Sequence, residues 1–460
     1  MPNTSFQTAH RLALFPDSTR VHNDSLFIAG CDLTSLADLY GTPLYIYDRA
    51  TMDHAVAKYR SALQRHYPAP SEITYAGKAF LCTAIAQWTQ QNQLWLDCTG
   101  ENEIAIALAA NVQSERLLVH GVNKSISDLK SALQHAGIIV VDNLTELNRI
   151  HVILSDTLRG ERRISTPTSE TLPGPGRQGT QNDINLWLRL LPGLAVQTHH
   201  SHTQTGQHTS KFGMNMEELM EAALICKQKA LPLNGLHFHL GSQFRNPSPL
   251  VDAIQLALDV AKEIGFTDEW HFSPGGGWAV AYHEDELPQP DINEYIRLIA
   301  EEIVKGCKAR GLVLPILHIE PGRSLVARAG VAIYRVGAVK RHTNITWLLT
   351  DGGIADNPRY ALYKAKYSCL TVAGVGRERS ERVHIAGPYC ESGDVIIEDL
   401  LMPKVEEGEL IAVPVSGAYQ LSMASNYNGS LRPAVLMIEE DTARLIIQRE
   451  TVQDLLKNQI

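Results

Sequence analysis

Tyr75-Ala76-Gly77-Lys78-Ala79-Phe80 is the stretch on which the reading of this chain turns. A polar turn, Pro68 to Ser71, and a short apolar run through Ile73 lead into it, and Leu81 to Trp88 leaves it with the pattern of a helix start. The hexapeptide is therefore the end of a strand about to become a helix. A lysine at the mouth of a strand, set between small residues and an aromatic one, can be held partly desolvated and used as an amine nucleophile. Most lysines that follow strands are solvated surface charges, so the neighbouring motifs have to decide between the two readings.

Outward from this point the chain alternates. Leu44–Tyr47, Ile73–Ala76, Leu94–Leu96, Leu117–His120, Ile138–Val141, Ile184–Leu190, Leu233–His239, Trp270–Phe272 and Leu314–Ile319 read as strands. Between them Arg49–Tyr67, Glu101–Ala110, Leu219–Lys229, Leu250–Ile264 and Ile292–Arg310 carry apolar residues at helical spacing. Strands alternating with helices of this length indicate parallel βα units, and about eight of them between Leu44 and Leu325 match a (β/α)8 barrel of the TIM type. The rhythm breaks at Thr157 to Asp183, rich in Pro, Gly, Ser, Thr and Arg, which reads as a mobile surface insertion. Beyond Leu325 the texture changes to short β-type runs (Val331–Val339, Thr346–Leu349, Val383–Ile385, Leu410–Pro414, Ala434–Ile438, Arg444–Gln448) separated by turns. The expected architecture is α/β: a barrel over residues 44–325, and a C-terminal all-β domain over 326–460 completed by residues 1–43.

Bulk properties agree. A chain of 460 residues is too long for one ordinary core. With 44% hydrophobic and 20% charged residues it is globular in composition. A net charge of −9 argues against a nucleic-acid partner or an anionic membrane surface. No apolar run reaches the roughly 18 residues of a spanning helix, and the first residues lack a basic-then-apolar secretory pattern. Seven scattered cysteines without a CxxC pair read as reduced thiols, so the expected location is the cytoplasm.

Chemistry in such a barrel gathers at the C-terminal ends of the strands. Asp97-Cys98-Thr99-Gly100-Glu101-Asn102-Glu103 follows one strand and His120-Gly121-Val122-Asn123-Lys124-Ser125 the next; for Asp97 and Glu101 a helix cap is an equal reading. His237-Phe238-His239-Leu240-Gly241-Ser242-Gln243 offers two histidines on one strand face. They suit a metal pair, although no carboxylate or cysteine stands near them in the sequence, or an imidazole laid against a planar cofactor with Ser242 beside an anion. Gly275, Gly276 and Gly277 offer free backbone N–H groups to a phosphate, or simply make a turn. Glu320-Pro321-Gly322-Arg323 adds a carboxylate and a guanidinium. One lysine, an anion cradle, a stacking ring and a carboxylate for a ring nitrogen are together what pyridoxal 5'-phosphate needs; no metal is called for.

The chain resembles the diaminopimelate decarboxylases, among the alanine-racemase-like and ornithine-decarboxylase-related pyridoxal phosphate enzymes, from about Thr42 to Pro433. YAGKAF, HGVNKS, Leu188 to Gly213, HFHLGSQ and PGGG carry the likeness through the first half. The longer strings EPGRSLVARAG (320–330), DGGIADNPRYALY (351–363), GPYCESGDV (387–395) and GAYQLSMASNYNGSLRP (417–433) carry more of its specificity. The resemblance implies a homodimer with shared active sites that decarboxylates meso-2,6-diaminopimelate to L-lysine. It makes Lys78 the covalent anchor of the cofactor and a proton shuttle, with Asp97 and Glu103 near it. His239 would stack on the ring, Ser242, Gly275, Gly276, Gly277 and Gly322 would hold the phosphate end, and Glu320 would pair with the ring nitrogen. Racemases of the superfamily place an arginine there, so Glu320 favours decarboxylation. Arg323, Arg359, Tyr363, Glu391 and Tyr427 correspond to substrate contacts, Arg323 and Tyr427 also to cofactor contacts, and Cys390 to a proton donor supplied across the dimer.

Some positions depart from the family pattern. DCTGENEI stands where DVVSGGEL is common, Tyr360 replaces a proline, and Lys364-Ala365-Lys366-Tyr367-Ser368 differs from the usual tract. His199, His200, His202 and His208 read as solvated loop histidines. The alternative within enzymes is a sibling decarboxylase for carboxynorspermidine or for ornithine, arginine or lysine. The alternative outside them is a silent amino-acid-binding relative, which would need neither Lys78 nor Cys390.

Overall fold

The computed structural model describes residues 10–164, 184–194 and 204–460, the side chains of 157–164 excepted. Eight parallel strands close a barrel: Ser71–Ala76, Trp95–Cys98, Leu117–His120, Ile138–Val141, Asn185–Arg189, Leu233–His237, His271–Ser273 and Ile316–Ile319, the last pairing back to the first. Their outer faces bury against helices with clear stops. Ile292–Arg310, for example, begins at Asp291, whose side chain accepts from the Asn293 N–H, and ends at Gly311 in the left-handed region. Each such cap contributes about 1 kcal/mol.

The floor of the barrel is filled by rings. Trp187 lies 5.4 Å from His271 and 4.8 Å from His318, and Trp95 lies 5.3 Å from His318. Gly235 makes room for this layer: a Cβ there would sit 2.2 Å from Cδ1 of Trp187. The plugged floor leaves the opposite rim, where the strands end, as the place for chemistry.

The second sheet is mostly antiparallel and includes Gly330–Arg341, Thr346–Thr350, Glu381–Ala386, Val395–Met402, Ala434–Glu439 and Thr442–Ile447. One interior strand is Leu44–Asp48, hydrogen-bonded to Gly330–Arg341 on one side and to Ala434–Glu439 on the other. This corrects the sequence-based reading, which counted Leu44–Tyr47 among the βα units; the first strand of the barrel is Ser71–Ala76. All five residues of the strand are buried, because Leu44 and Ile46 join the core of the β sheet while Tyr45 and Tyr47 join the larger core shared with the barrel. A run buried on both faces has the signature of a parallel barrel strand, and a helix follows it at once. The N-terminal hairpin Thr19–His22 and Ser25–Ile28 also packs on the β core, with the Leu26 N–H donating to the Val372 carbonyl at 2.8 Å.

The helix Leu144–Ile164 runs into the stretch read as an insertion, so Thr157 to Ile164 are helical. Residues 165–183 lie outside the described residues, as do His199, His200 and His202. His208 is exposed, with its ring against Gly193.

Candidate active site

Every barrel strand delivers a polar group to one rim: Lys78, Asp97, His120, Asp142, Arg189, His237, Ser273 and Glu320 stand at or just past successive strand ends. Lys78 occupies the short turn Gly77–Ala79. Its side chain is exposed rather than desolvated, and among the described residues it makes no hydrogen bond or ion pair. Its charge nevertheless reaches Asp97, Glu320, His237 and His239. The lysine is thus an unengaged amine over an otherwise occupied floor.

Glu320 is the best-anchored group there. It is 5% exposed; its Oε1 accepts from Ser273 Oγ at 2.6 Å, and His237 Nε2 stands 3.2 Å from its carboxylate. Burial alone would raise its pKa. The charge and hydrogen bond of His237, the Ser273 hydroxyl and the charge of Lys78 outweigh this and hold the carboxyl below its usual range. Asp97 shows the opposite balance. Burial, helped by the charges of Glu320 and Glu103, pushes its pKa up against the pull of Lys78, and its Oδ1 is buried without a partner among the described residues. Glu103 is turned to the Thr99 backbone N–H (2.6 Å) and hydroxyl (2.8 Å).

The imidazole of His239 is partly buried, and its pKa is pushed well below the ordinary value, first by burial and then by Lys78 and Arg189. Its Nδ1 accepts the Gly276 N–H at 3.2 Å. The Gly275 N–H donates to Ser273 Oγ at 3.1 Å. Among the described residues only the Gly277 N–H of the three is without an acceptor, which corrects the expectation that all three are free. The glycines are obligatory for a different reason, close approach: a Cβ on Gly276 would lie 2.1 Å from the Glu320 carbonyl oxygen, and one on Gly277 2.0 Å from that of Gly241. Gly322 sits over the Lys78 turn, where a Cβ would stand 3.0 Å from those of Ala76 and Ala79.

Arg323 and Arg359 are 6% and 1% exposed, and among the described residues neither has an acidic partner. Arg323 donates to Ser242 Oγ at 2.9 Å and to the Tyr282 hydroxyl. Arg359 donates to the Tyr367 hydroxyl at 2.8 Å and lies 4.4 Å from the centre of the Tyr282 ring. Both guanidiniums retain a buried Nε without an acceptor among the described residues. Two buried cations held by phenols and lacking a counterion form a socket for an anion.

The remaining sequence candidates fall elsewhere. Cys390 and Glu391 are exposed on the loop after Glu381–Ala386, and Tyr427 is 39% exposed. Among the described residues their hydrogen bonds and ring contacts are local: the Cys390 N–H meets Asn428 Oδ1 at 3.2 Å, and Tyr427 packs edge-on to Tyr389. None of them bonds to a residue of the barrel rim. Tyr363, half-buried, ends the short helix begun by Arg359. The departures now have locations. Asp128 accepts the Glu101 N–H where a side chain on Gly100 would go, its Oδ1 2.5 Å from the position of a Cβ. Tyr360 faces away from Arg359 and donates to Glu398.

Sequence reasoning gave no role to Arg189, Ser273, Tyr282 and Tyr367; it quoted His120 only within a motif and weighed His237 only as half of a metal pair. His237, His120 and Glu320 bring their ligating atoms within 4.8 Å of one another, so a carboxylate does accompany His237, from 83 residues away. Strand-end position was the signal available for His120, Arg189, His237 and Ser273; Tyr282 and Tyr367 had none.

Comparison with known proteins sharpens this picture. The family model described as "Pyridoxal-dependent decarboxylase, pyridoxal binding domain" matches residues 50–327. The chain belongs to the pyridoxal-dependent decarboxylases. It is 36% identical to a diaminopimelate decarboxylase of Bacillus subtilis over 448 residues, covering 94% of each chain, and 35% identical to one of Synechocystis sp., covering 95% of this chain and 90% of the relative. Among solved structures, a diaminopimelate decarboxylase of M. jannaschii aligns with a TM-score of 0.84 at 28% identity, over 96% of this chain and 98% of that one. The Helicobacter pylori enzyme complexed with L-lysine aligns at 0.79 with 29% identity, over 92% and 98%.

The rim of this decarboxylase fits pyridoxal phosphate on its own chemistry. An exposed free amine, a buried carboxylate held ionised, a glycine loop that tolerates no Cβ and a neutral imidazole stand together at the strand ends, and among the described residues Asp97 and Arg323 retain unpartnered polar atoms. Among the described residues no helix is long and apolar enough to cross a membrane.

Proposed function

We propose that this decarboxylase converts meso-2,6-diaminopimelate to L-lysine and CO2, as a cytoplasmic homodimer. The observation that carries the choice of substrate is the pair Arg323 and Arg359: two buried guanidiniums without an acidic partner among the described residues. Ornithine and lysine have no second carboxylate to satisfy such a pair, whereas diaminopimelate does. The relatives named above support the same reading.

Pyridoxal phosphate, when bound, supplies the electron sink for the pair left on the α-carbon as CO2 departs. The side chains divide the remaining work. Lys78 would hold the cofactor through its amine. Glu320, ionised and donated to by Ser273 and His237, would hold a proton at the ring nitrogen. His239, a neutral imidazole, would stack on the ring, and Ser242 with the Gly275–Gly277 loop would hold the phosphate end. Asp97 and Glu103 flank the Lys78 turn, and Gly322 leaves space above it.

On the substrate side, Arg323 and Arg359 grip the distal carboxylate, with Tyr363 beside them. Cys390, Glu391 and Tyr427 lie on an exposed face and, among the described residues, bond to nothing at the rim of their own barrel. We assign them to the site of a second subunit, where the Cys390 thiol delivers the proton to the α-carbon and Glu391 meets the distal ammonium.

A CO2-release assay over meso-diaminopimelate, L-lysine, L-ornithine, L-arginine and carboxynorspermidine tests the substrate, and release from diaminopimelate alone is expected. Faster release from a monocarboxylate would refute the assignment of the arginines. Mixing Lys78→Ala with Cys390→Ala protein tests the shared site. Activity should return as the subunits exchange, because one site of each hybrid dimer is intact; two silent parents that stay silent would place Cys390 elsewhere.

A further inference from the structure

Glu320 and the glycine loop are joined by a closed circuit. The Gly275 N–H donates to Ser273 Oγ (3.1 Å), and the Ser273 hydroxyl donates to Glu320 Oε1 (2.6 Å). The Glu320 N–H returns to the Gly275 carbonyl at 2.9 Å. Ser273 is fully buried, and Gly275 has φ +74°. Gly276 lies directly on the Glu320 carbonyl, so the loop cannot slide without moving the carboxylate. On the far side, His237 Nε2 stands 3.2 Å from the same carboxylate, while His237 Nδ1 is buried without a partner among the described residues. The His120 ring packs edge-on at 4.4 Å and prevents His237 from turning away. A hydroxyl that accepts from one backbone N–H has one proton left to give, and its direction is set by the acceptor it already serves. Ser273 can therefore aim that proton only at Glu320.

We propose that Ser273 is a positioning residue that makes the phosphate loop and the ring-nitrogen carboxylate a single unit, so that seating the anion at Gly275–Gly277 also fixes Glu320 toward the pyridine nitrogen. The inference rests on the assignment of pyridoxal phosphate to this rim. It separates Ser273 from a residue that merely fills space, because its effect must pass through the ring nitrogen.

The test measures dissociation constants of the apoenzyme for two ligands: pyridoxal phosphate, and its carbocyclic analogue in which the ring nitrogen is replaced by CH. Ser273→Ala is expected to weaken pyridoxal phosphate about tenfold, the worth of one hydrogen bond to a charged group, and the analogue less than about twofold. Ser273→Thr, which keeps the hydroxyl, should restore the wild-type ratio. With Glu320→Gln already present, Ser273→Ala should add nothing further for pyridoxal phosphate. Where the alanine variant does not fold, Ser273→Cys keeps the volume with a much weaker donor and should give the same split. Equal losses for both ligands, or no loss for either, would overturn the inference. A wild-type protein that binds neither ligand would instead remove the cofactor assignment on which it stands.

Discussion

Replacing Arg359 with alanine should remove the recognition of the distal carboxylate while leaving the rest of the site in place. The side chain is 1% exposed and has no acidic partner among the described residues, so a carboxylate arriving there exchanges its water for a charge-assisted, two-pronged contact. Loss of one partner from a buried charged pair costs about 2–5 kcal/mol; taking about 3 kcal/mol gives roughly a hundredfold at 1.4 kcal/mol per decade. The fold should survive, because the Tyr367 hydroxyl keeps its contact with the Gln420 side chain at 2.5 Å and is not orphaned. The clean assay is inhibition rather than turnover. L-lysine, the product, still carries the distal carboxylate, and 1,5-diaminopentane is the same chain without it. In Arg359→Ala the inhibition constant for L-lysine should rise about a hundredfold and that for the diamine less than about threefold, erasing the preference of the parent enzyme. Arg359→Lys should recover only part of it, since an ammonium neither forks nor stacks on Tyr282. Equal weakening of both inhibitors would show that Arg359 supports the architecture and does not read the carboxylate.

Three other perturbations follow. Lys78→Ala should abolish CO2 release and the near-visible absorbance of the reconstituted enzyme, and borohydride should no longer fix the cofactor to the chain; a variant turning over at the parent rate would remove Lys78 from its role. Gly276→Ala places a methyl on the Glu320 carbonyl and should cut cofactor affinity more than about tenfold with little change in secondary structure by circular dichroism; unchanged affinity would show that the loop has slack. Asp356 is held at a pKa of about 6, above the ordinary carboxylate range, because burial outweighs its hydrogen bonds from Tyr334, Gly353 and Tyr45. Between pH 4 and 6 the folded state therefore holds a proton that the unfolded state has released, and stability falls as pH rises through this window. Asp356→Asn should remove that slope, so the melting temperature of the variant relative to the parent should climb from pH 4 to pH 6; a difference flat with pH would contradict the assignment.

Much of this was legible because the barrel writes its chemistry at strand ends. Lys78, Asp97, His239, Gly275 and Glu320 each follow an apolar run that could be recognised as a strand, and a parallel barrel brings such ends together whatever the loops do. The helix Ile292–Arg310 was bounded by Asp291 and Gly311, which announce themselves. What could not be read was anything set by contacts between distant residues. His237 meets Glu320 across 83 positions, and Arg359 is steadied by Tyr282 from a loop that carries no motif. The strand Val395–Met402 escaped because Glu398 and Asp399 interrupt its apolar run, with Asp399 at φ +55° making an irregular step. Leu44–Tyr47 was recognised as a strand and assigned to the wrong sheet, since periodicity reports burial and not the partner that provides it.

That misassigned strand explains how two domains build one site. Tyr45 and Tyr47 are two residues apart and so share a face of the strand. The Tyr47 ring stacks on Phe80 at 4.8 Å and 10°, and its hydroxyl donates to the Gly417 carbonyl at 2.9 Å, which locates the turn that carries Lys78. The Tyr45 hydroxyl donates to Asp356 Oδ2 at 3.0 Å, alongside Tyr334 at 2.7 Å and the Gly353 N–H at 2.9 Å; Asp356 thereby fixes the loop from which Arg359 enters the site. Lys78 belongs to the barrel and Arg359 to the β domain, yet both are referred to one pleat of one buried strand. A strand locked between Gly330–Arg341 and Ala434–Glu439 cannot shift register without turning Tyr45 and Tyr47 to the opposite face and Leu44 and Ile46 into their place. The spacing between the reacting amine and the carboxylate socket is therefore set by the centre of the β sheet, and the barrel alone could not maintain it.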